Sequence, residues 1–279
     1  MTPRTRLSMK IRVDPHHRDH RFEGRAVLPA VEALQLLAAS VQSQWPDRDV
    51  RRMTDASFSR FLFIEDGNDC IAAVTEIQTD EKENLIASLL TLTPSPSGRV
   101  TRMKEHVRVC FPKIRPDIEP LPFAAASRRD DACFEISPGQ LYAELVPFGP
   151  AFQNVGGILC LTAHGAAAQV RATVHPQPPG PLGSPFTMDA ALHCACAWGQ
   201  RYAGLVAFPV GFEKRFVFRP TVAGQVYFVR VIPVRRDAEP LVFNLWIYGL
   251  GGALHEAILG VAMRDVSSGR LKPPAWIRA

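Results

Sequence analysis

Twice along the chain, one long apolar helical segment precedes a run of strand-like segments, and that order constrains the fold more than any other feature. Val31, Leu34, Ala38, Val41 and Trp45 recur three or four apart, giving one apolar stripe, and Pro29 suits the first turn of that helix. A second helix is expected from near Asp189 to Gly204. Before the first helix, Leu7, Met9, Ile11 and Val13 alternate with polar residues, the period of a half-buried strand. After it, strands are expected over Phe58–Ile64, Cys70–Gln78, Leu85–Thr93 and Val100–Phe111, with Pro94–Gly98 as the turn between the last two. Pro112, Pro116, Pro120 and Pro122 punctuate a stretch without periodicity, which reads as a linker between two halves, 1–122 and 123–279.

The second half opens with a short helix from Ser137-Pro138 to about Val146. Strands follow at Gly156–Ala163 and Ala167–His175, meeting at His164-Gly165, and then a proline-rich loop, Pro176–Pro185, leads to the second long helix. Beyond that helix, strands are expected at Leu205–Phe218, Gln225–Val234, Leu241–Tyr248 and Leu254–Val266, with Gly251-Gly252 as a hairpin turn. A curved antiparallel sheet wrapped round a central helix, occurring twice, is the simplest α+β architecture that buries both helices.

Composition narrows the setting. Hydrophobic residues at 47% and charged residues at 21% exclude wholesale disorder. The apolar stretch Val27–Val41 is broken by Glu32 and Gln35 well short of bilayer length, and the first residues lack a signal-peptide core, so a cytoplasmic protein is expected. Six cysteines scattered through apolar segments favour reduced, packed thiols over disulfides, and no metal cluster is expected of them. The net charge of +5 is spread in pairs such as Arg51-Arg52 and Arg235-Arg236 rather than in a run, which fits an acidic protein partner at least as well as nucleic acid.

Three segments carry candidate chemistry, each where a loop meets a helix or strand. The first is His20–Pro29, spaced H-x-x-x-G-x-x-x-x-P through Gly24; the second is Phe148-Gly149-Pro150-Ala151-Phe152; the third is Asp189 followed four residues on by His193. In this order the segments resemble the dehydratase domains of polyketide synthases and, more distantly, the β-hydroxyacyl-carrier-protein dehydratases of fatty acid synthesis. The resemblance spans roughly residues 7 to 266. It implies a double hot-dog fold, with one site built from His20 of the first half and Asp189 of the second.

The implied reaction removes water from a 3-hydroxyacyl thioester to give a 2-enoyl thioester, with no cofactor beyond the phosphopantetheine arm of an acyl carrier protein. That reaction needs a base for the α-proton, an acid for the departing oxygen, and donors for a carbonyl that becomes enolate-like. The resemblance casts His20 as base, Asp189 as acid and His193 as the residue that orients Asp189. Burial among Phe186, Met188 and Leu192 would favour a protonated Asp189. It also points to Gly24, Pro29, Phe148, Gly149, Pro150 and Phe152 as residues around the substrate, with backbone N–H groups near Gly149 as oxyanion donors.

Taken singly, each residue has a plainer reading. His20 is then a loop histidine beside His16 and His17, Asp189 a helix N-cap, His193 a packed core histidine, and Gly149-Pro150 a turn. The sequence also departs from the family pattern: Phe148 stands where tyrosine is usual, and Leu145-Val146 replace an upstream Gly-Tyr. A hot-dog thioesterase, a double-bond isomerase and a non-catalytic acyl-binding domain are therefore carried as alternatives. Arg51, Arg52, Arg215 and Arg219 are candidates for docking an acidic carrier protein. Met1 and the closing Lys272–Trp276 tail lean towards a free-standing protein, and the first strand offers an edge for a homodimer, although a monomer is equally complete.

Overall fold

A computed structural model describes residues 4–94, 101–128, 132–174 and 180–278. The chain starts with strand β1 (Arg4–Arg12), a single-turn helix at Pro15–Asp19, and the two short strands β2 (Arg21–Phe22) and β3 (Arg25–Ala26). Helix α1 (Ala30–Gln44) follows, then β4 (Arg52–Phe58), β5 (Cys70–Thr79), β6 (Leu85–Pro94) and β7 (Thr101–Phe111). A one-turn helix α2 (Phe123–Ala126) and strand β8 (Phe134–Ile136) lead to α3 (Pro138–Gln140), continued by a wide turn at Leu141–Leu145. Strands β9 (Leu159–Thr162) and β10 (Gly165–Arg171) precede helix α4 (Pro185–Tyr202). Strands β11 (Phe208–Val217), β12 (Val226–Arg235), β13 (Leu241–Gly249) and β14 (Leu254–Arg264) complete the sheet.

Twelve strands form one sheet in the order β1-β5-β6-β7-β4-β11-β14-β13-β12-β10-β9-β8, every neighbour antiparallel. The first five members of that order wrap α1 and the other seven wrap α4, the double hot-dog arrangement. The seam is the β4–β11 pair, with Arg215 opposite Met53 and Phe216 opposite Arg52. One apolar core runs across the seam and holds Leu34 and Leu37 of α1 together with Ala191 and Trp198 of α4. The amide of Gln35 ties the helices' surroundings together: its Nε2 donates to Gly183 O at 2.6 Å and its Oε1 accepts from Leu182 N at 3.2 Å.

Local chemistry explains several boundaries. Ser137 caps α3 by accepting from Gln140 N, as the Ser-Pro start suggests. Helix α4 begins at Pro185, a turn before the expected start, so Asp189 lies inside the helix instead of capping it. The apolar run Phe58–Ile64 is not a strand. The strand is the preceding Arg52–Phe58, and Phe58, Phe61 and Leu62 instead wall a cavity. The proline-punctuated linker is not a free tether either. Ile118, Leu121 and Phe123 pack on Trp246 and Tyr248 of the second half, and Tyr248 Oη donates to Leu121 O at 2.6 Å.

Two further expectations need correction. Cys133 and Cys160 are joined in a disulfide, with Cα atoms 5.5 Å apart, where reduced thiols were expected. Scattered spacing hides the pairing because β8 and β9 bring the two residues together only through the fold. Arg215 is 1% exposed and bonded through Nε to Glu256 Oε1 at 2.6 Å, so it is an internal ion pair and not a docking residue. Arg51 and Arg219 are exposed. Most of the Pro94–Gly98 turn and the first residues of the Pro176–Pro185 loop lie outside the described residues. No helix is long and apolar enough to cross a membrane among the described residues.

Candidate active site

A cavity of about 740 Å³ lies between the two halves and is lined from both: His20, Leu28, Ala30 and Val31 from the first, Phe148, Asp189, Leu192 and His193 from the second. The β2–β3 hairpin delivers His20. Its turn runs through Glu23 and Gly24, at φ 49° and 80°, and glycine takes such a conformation without a Cβ penalty. Gly24 is exposed and stands away from the cavity; its work is the turn.

His20 Nδ1 lies 3.2 Å from Val27 O. A carbonyl only accepts, so Nδ1 carries the proton and Nε2 keeps its lone pair. His20 is enclosed by protein with part of its ring open to the cavity. Burial pulls its pKa below 6.5 and His193 pushes the same way, against the opposing charge of Asp189. The ring is therefore held neutral.

Helix α4 carries the second cluster. Asp189 and His193, four residues apart on one face, are 5% and 4% exposed. Phe186, Met188 and Leu192 around them are also buried. His193 Nε2 stands 2.9 Å from Asp189 Oδ2, yet out of line for a hydrogen bond, and neither atom has another partner among the described residues. Tyr142, which no sequence motif marks, completes the cluster. Its hydroxyl accepts from Val155 N at 2.8 Å and lies 3.3 Å from His193 Nδ1. A buried tyrosine 51 residues from its histidine leaves no spacing signal.

Phe148, which replaces the expected tyrosine, packs between the two histidines, its ring 4.3 Å from that of His20 and 5.1 Å from that of His193. Of the residues expected round the substrate, Phe148 lines the cavity, whereas Pro29, Gly149, Pro150 and Phe152 do not. Pro29 is the N-cap of α1, and Phe152 lies under His20 at 5.1 Å.

The Gly149 loop is not available as an oxyanion donor. Gly149 N donates to Asp19 O at 2.8 Å and Ala151 N to Asp19 Oδ2 at 3.0 Å. Phe148 N and Phe152 N are bonded to Val146 O and Gly149 O. Glycine is required because Asp19 comes so close: an added Cβ would stand 2.7 Å from Asp19 Cβ. The unspent donors are at the start of α1, where Ala30 N and Val31 N have no acceptor among the described residues and both residues line the cavity.

Away from the cavity, Asp14, His16 and His17 bring ligand-type atoms within 4.8 Å of one another. His17 Nδ1 accepts from Asp14 N, so its Nε2 carries a proton, which goes to Glu32 Oε2 at 2.6 Å. That ring is a brace, with no lone pair left at Nε2 for a metal.

A double hot-dog with one histidine–carboxylate cavity between its halves defines the class of protein. Residues 121–273, more than half of the chain, match the family model described as the polyketide synthase dehydratase N-terminal domain, and the chain belongs to the polyketide synthase dehydratase family. A curated relative, one of the subunits of a polyunsaturated fatty acid synthase from Thraustochytrium sp., is 22% identical over 228 residues. That match takes in 76% of this chain but only 8% of the relative.

Among solved structures, a trans-AT polyketide synthase dehydratase domain from Brevibacillus brevis aligns at TM-score 0.74 and 16% identity, over 95% of this chain and 94% of the other. The dehydratase domain of a mycocerosic acid synthase-like polyketide synthase aligns at 0.71 and 15%, over 96% of each chain. At these identities the likeness is one of fold.

Proposed function

We propose that the protein is a hydro-lyase that converts a 3-hydroxyacyl thioester, presented on the phosphopantetheine of an acyl carrier protein, into a 2-enoyl thioester and water. The observation that carries this reading is the shared cavity, where the unprotonated Nε2 of His20 and the carboxyl of Asp189 arrive from different halves.

His20 Nε2 takes the α-proton, and the C–H electron pair forms the new double bond as the bond from Cβ to the hydroxyl breaks. Asp189 gives its proton to the leaving hydroxyl, which departs as water. The thioester oxygen, enolate-like as the α-proton leaves, is met by Ala30 and Val31 N–H at the positive end of α1. A proton passed from His20 back to Asp189 resets the site. No step calls for a metal or cofactor. Arg51 and Arg219 are the remaining exposed candidates for meeting an acidic carrier.

Intact-mass analysis of a carrier protein loaded with a 3-hydroxyacyl group tests the reading. Loss of one water is expected. Release of free acid would instead identify a thioesterase, and an unchanged mass a binding domain. His20→Ala and Asp189→Asn should each abolish water loss while circular dichroism stays native; near-normal turnover in either would overturn its role.

A further inference from the structure

The hydroxyl of Tyr142 sits at a point where only one proton arrangement satisfies its neighbours. Val155 N can only donate, and it donates to the Tyr142 oxygen at 2.8 Å. The single phenolic proton must then go elsewhere, and His193 Nδ1 lies 3.3 Å away. Burial raises the pKa of Tyr142, so the phenol keeps that proton across the working range. His193 Nδ1 is thereby an acceptor, and a neutral ring carries its own proton on Nε2, the atom 2.9 Å from Asp189 Oδ2. Tyr142 is 6% exposed and does not line the cavity that holds His20 and Asp189, so it acts through His193 and touches no substrate there.

We propose that Tyr142 is a positioning residue that locks His193 in its Nε2–H tautomer, so that an N–H stands beside Asp189 and can turn into line as that carboxyl gives up its proton. The proposal rests on the reading of Asp189 as the acid. It also accounts for how the site works with Phe148 in place of a motif tyrosine: the phenol that steadies the cluster comes from behind it, six positions earlier in the chain. Without the lock, the opposite tautomer would turn a lone pair towards the carboxylate that forms, a repulsive contact in the transition state.

The test combines a spectrum with kinetics. In protein labelled with 15N-histidine, long-range proton–nitrogen spectra report which ring nitrogen is protonated, and the His193 signals are those absent from His193→Gln. Wild type should show His193 protonated at Nε2; a His193 protonated at Nδ1 overturns the proposal without any substitution at Tyr142. Tyr142→Phe should shift His193 towards a mixture of tautomers and lower kcat about tenfold, with KM within about twofold.

In the His193→Gln background the amide donates without a tautomer to fix, so adding Tyr142→Phe should change kcat by less than about twofold. An equal tenfold loss there would mark Tyr142 as packing only and overturn the proposal. If wild type itself removes no water, the reading of the reaction fails, whereas the tautomer measurement still decides the role of Tyr142.

Discussion

Gly149 and His20 show how much a single group decides at this site. A methyl group at Gly149 has no room, because Asp19 closes on that Cα to hold both Gly149 N and Ala151 N. Gly149→Ala should destabilise the protein by about 1–3 kcal/mol, as overpacked sites do, and lower kcat by loosening Phe148 against the histidines. Thermal melts and steady-state rates check it; a variant with native Tm and kcat would show that the clamp is dispensable. The second expectation concerns pH. His20 works only when neutral, and burial lowers its pKa from 6.5, so the acidic limb of kcat/KM should have its midpoint below pH 6.5. A midpoint at or above that value would show that the limb belongs to another group.

At the scale of elements, the single-turn helix Pro15–Asp19 that leads into His20 is fastened to the first turn of α1. Glu32 accepts from His16 Nε2 at 2.8 Å and from His17 Nε2 at 2.6 Å. Burial alone would raise its pKa, but the two histidines outweigh burial and hold it at about 2 against an ordinary 4.5. A lowered carboxylate pKa stabilises the fold fully above the unfolded value, and this contribution fades as pH falls from 4.5 towards 2. Glu32→Gln should therefore cost on the order of 3 kcal/mol near pH 6 and progressively less below pH 4. Urea titrations of both proteins across that range test it, and a difference independent of pH would sink the idea.

The same scale shows what was legible in the sequence. The long strands and α1 announce themselves because each buries one face at its own period, whereas α4 is buried almost all round and is marked by its length and apolar content. Strand β8 does not, since three residues carry no period, and Phe58–Ile64 misleads because a cavity wall is as apolar as a strand. His20, Asp189 and His193 could be singled out because their motifs are local. Tyr142, the Asp19 clamp and the Cys133–Cys160 pairing could not, because each exists only after distant segments meet.

Over the whole molecule, two halves of like design share one sheet and one core, and this bears on whether they unfold together. Strand β4 is bonded to β7 on one side and to β11 of the other half on its other side. Cutting the chain at the seam would leave β4 and β11 as unpaired edges and strip apolar cover from both central helices. A single cooperative unit is expected, so a defect in one half should weaken the other. Leu37 of α1 is fully buried, and Leu37→Ala should cost about 2–5 kcal/mol. Native-state hydrogen exchange reads where that loss is felt. The slowest amides of α4, around Trp198, should lose as much protection as those of α1. If α4 kept its protection while α1 lost it, the halves would be separate folding units, and the alignment of His20 with Asp189 would depend on docking rather than on folding.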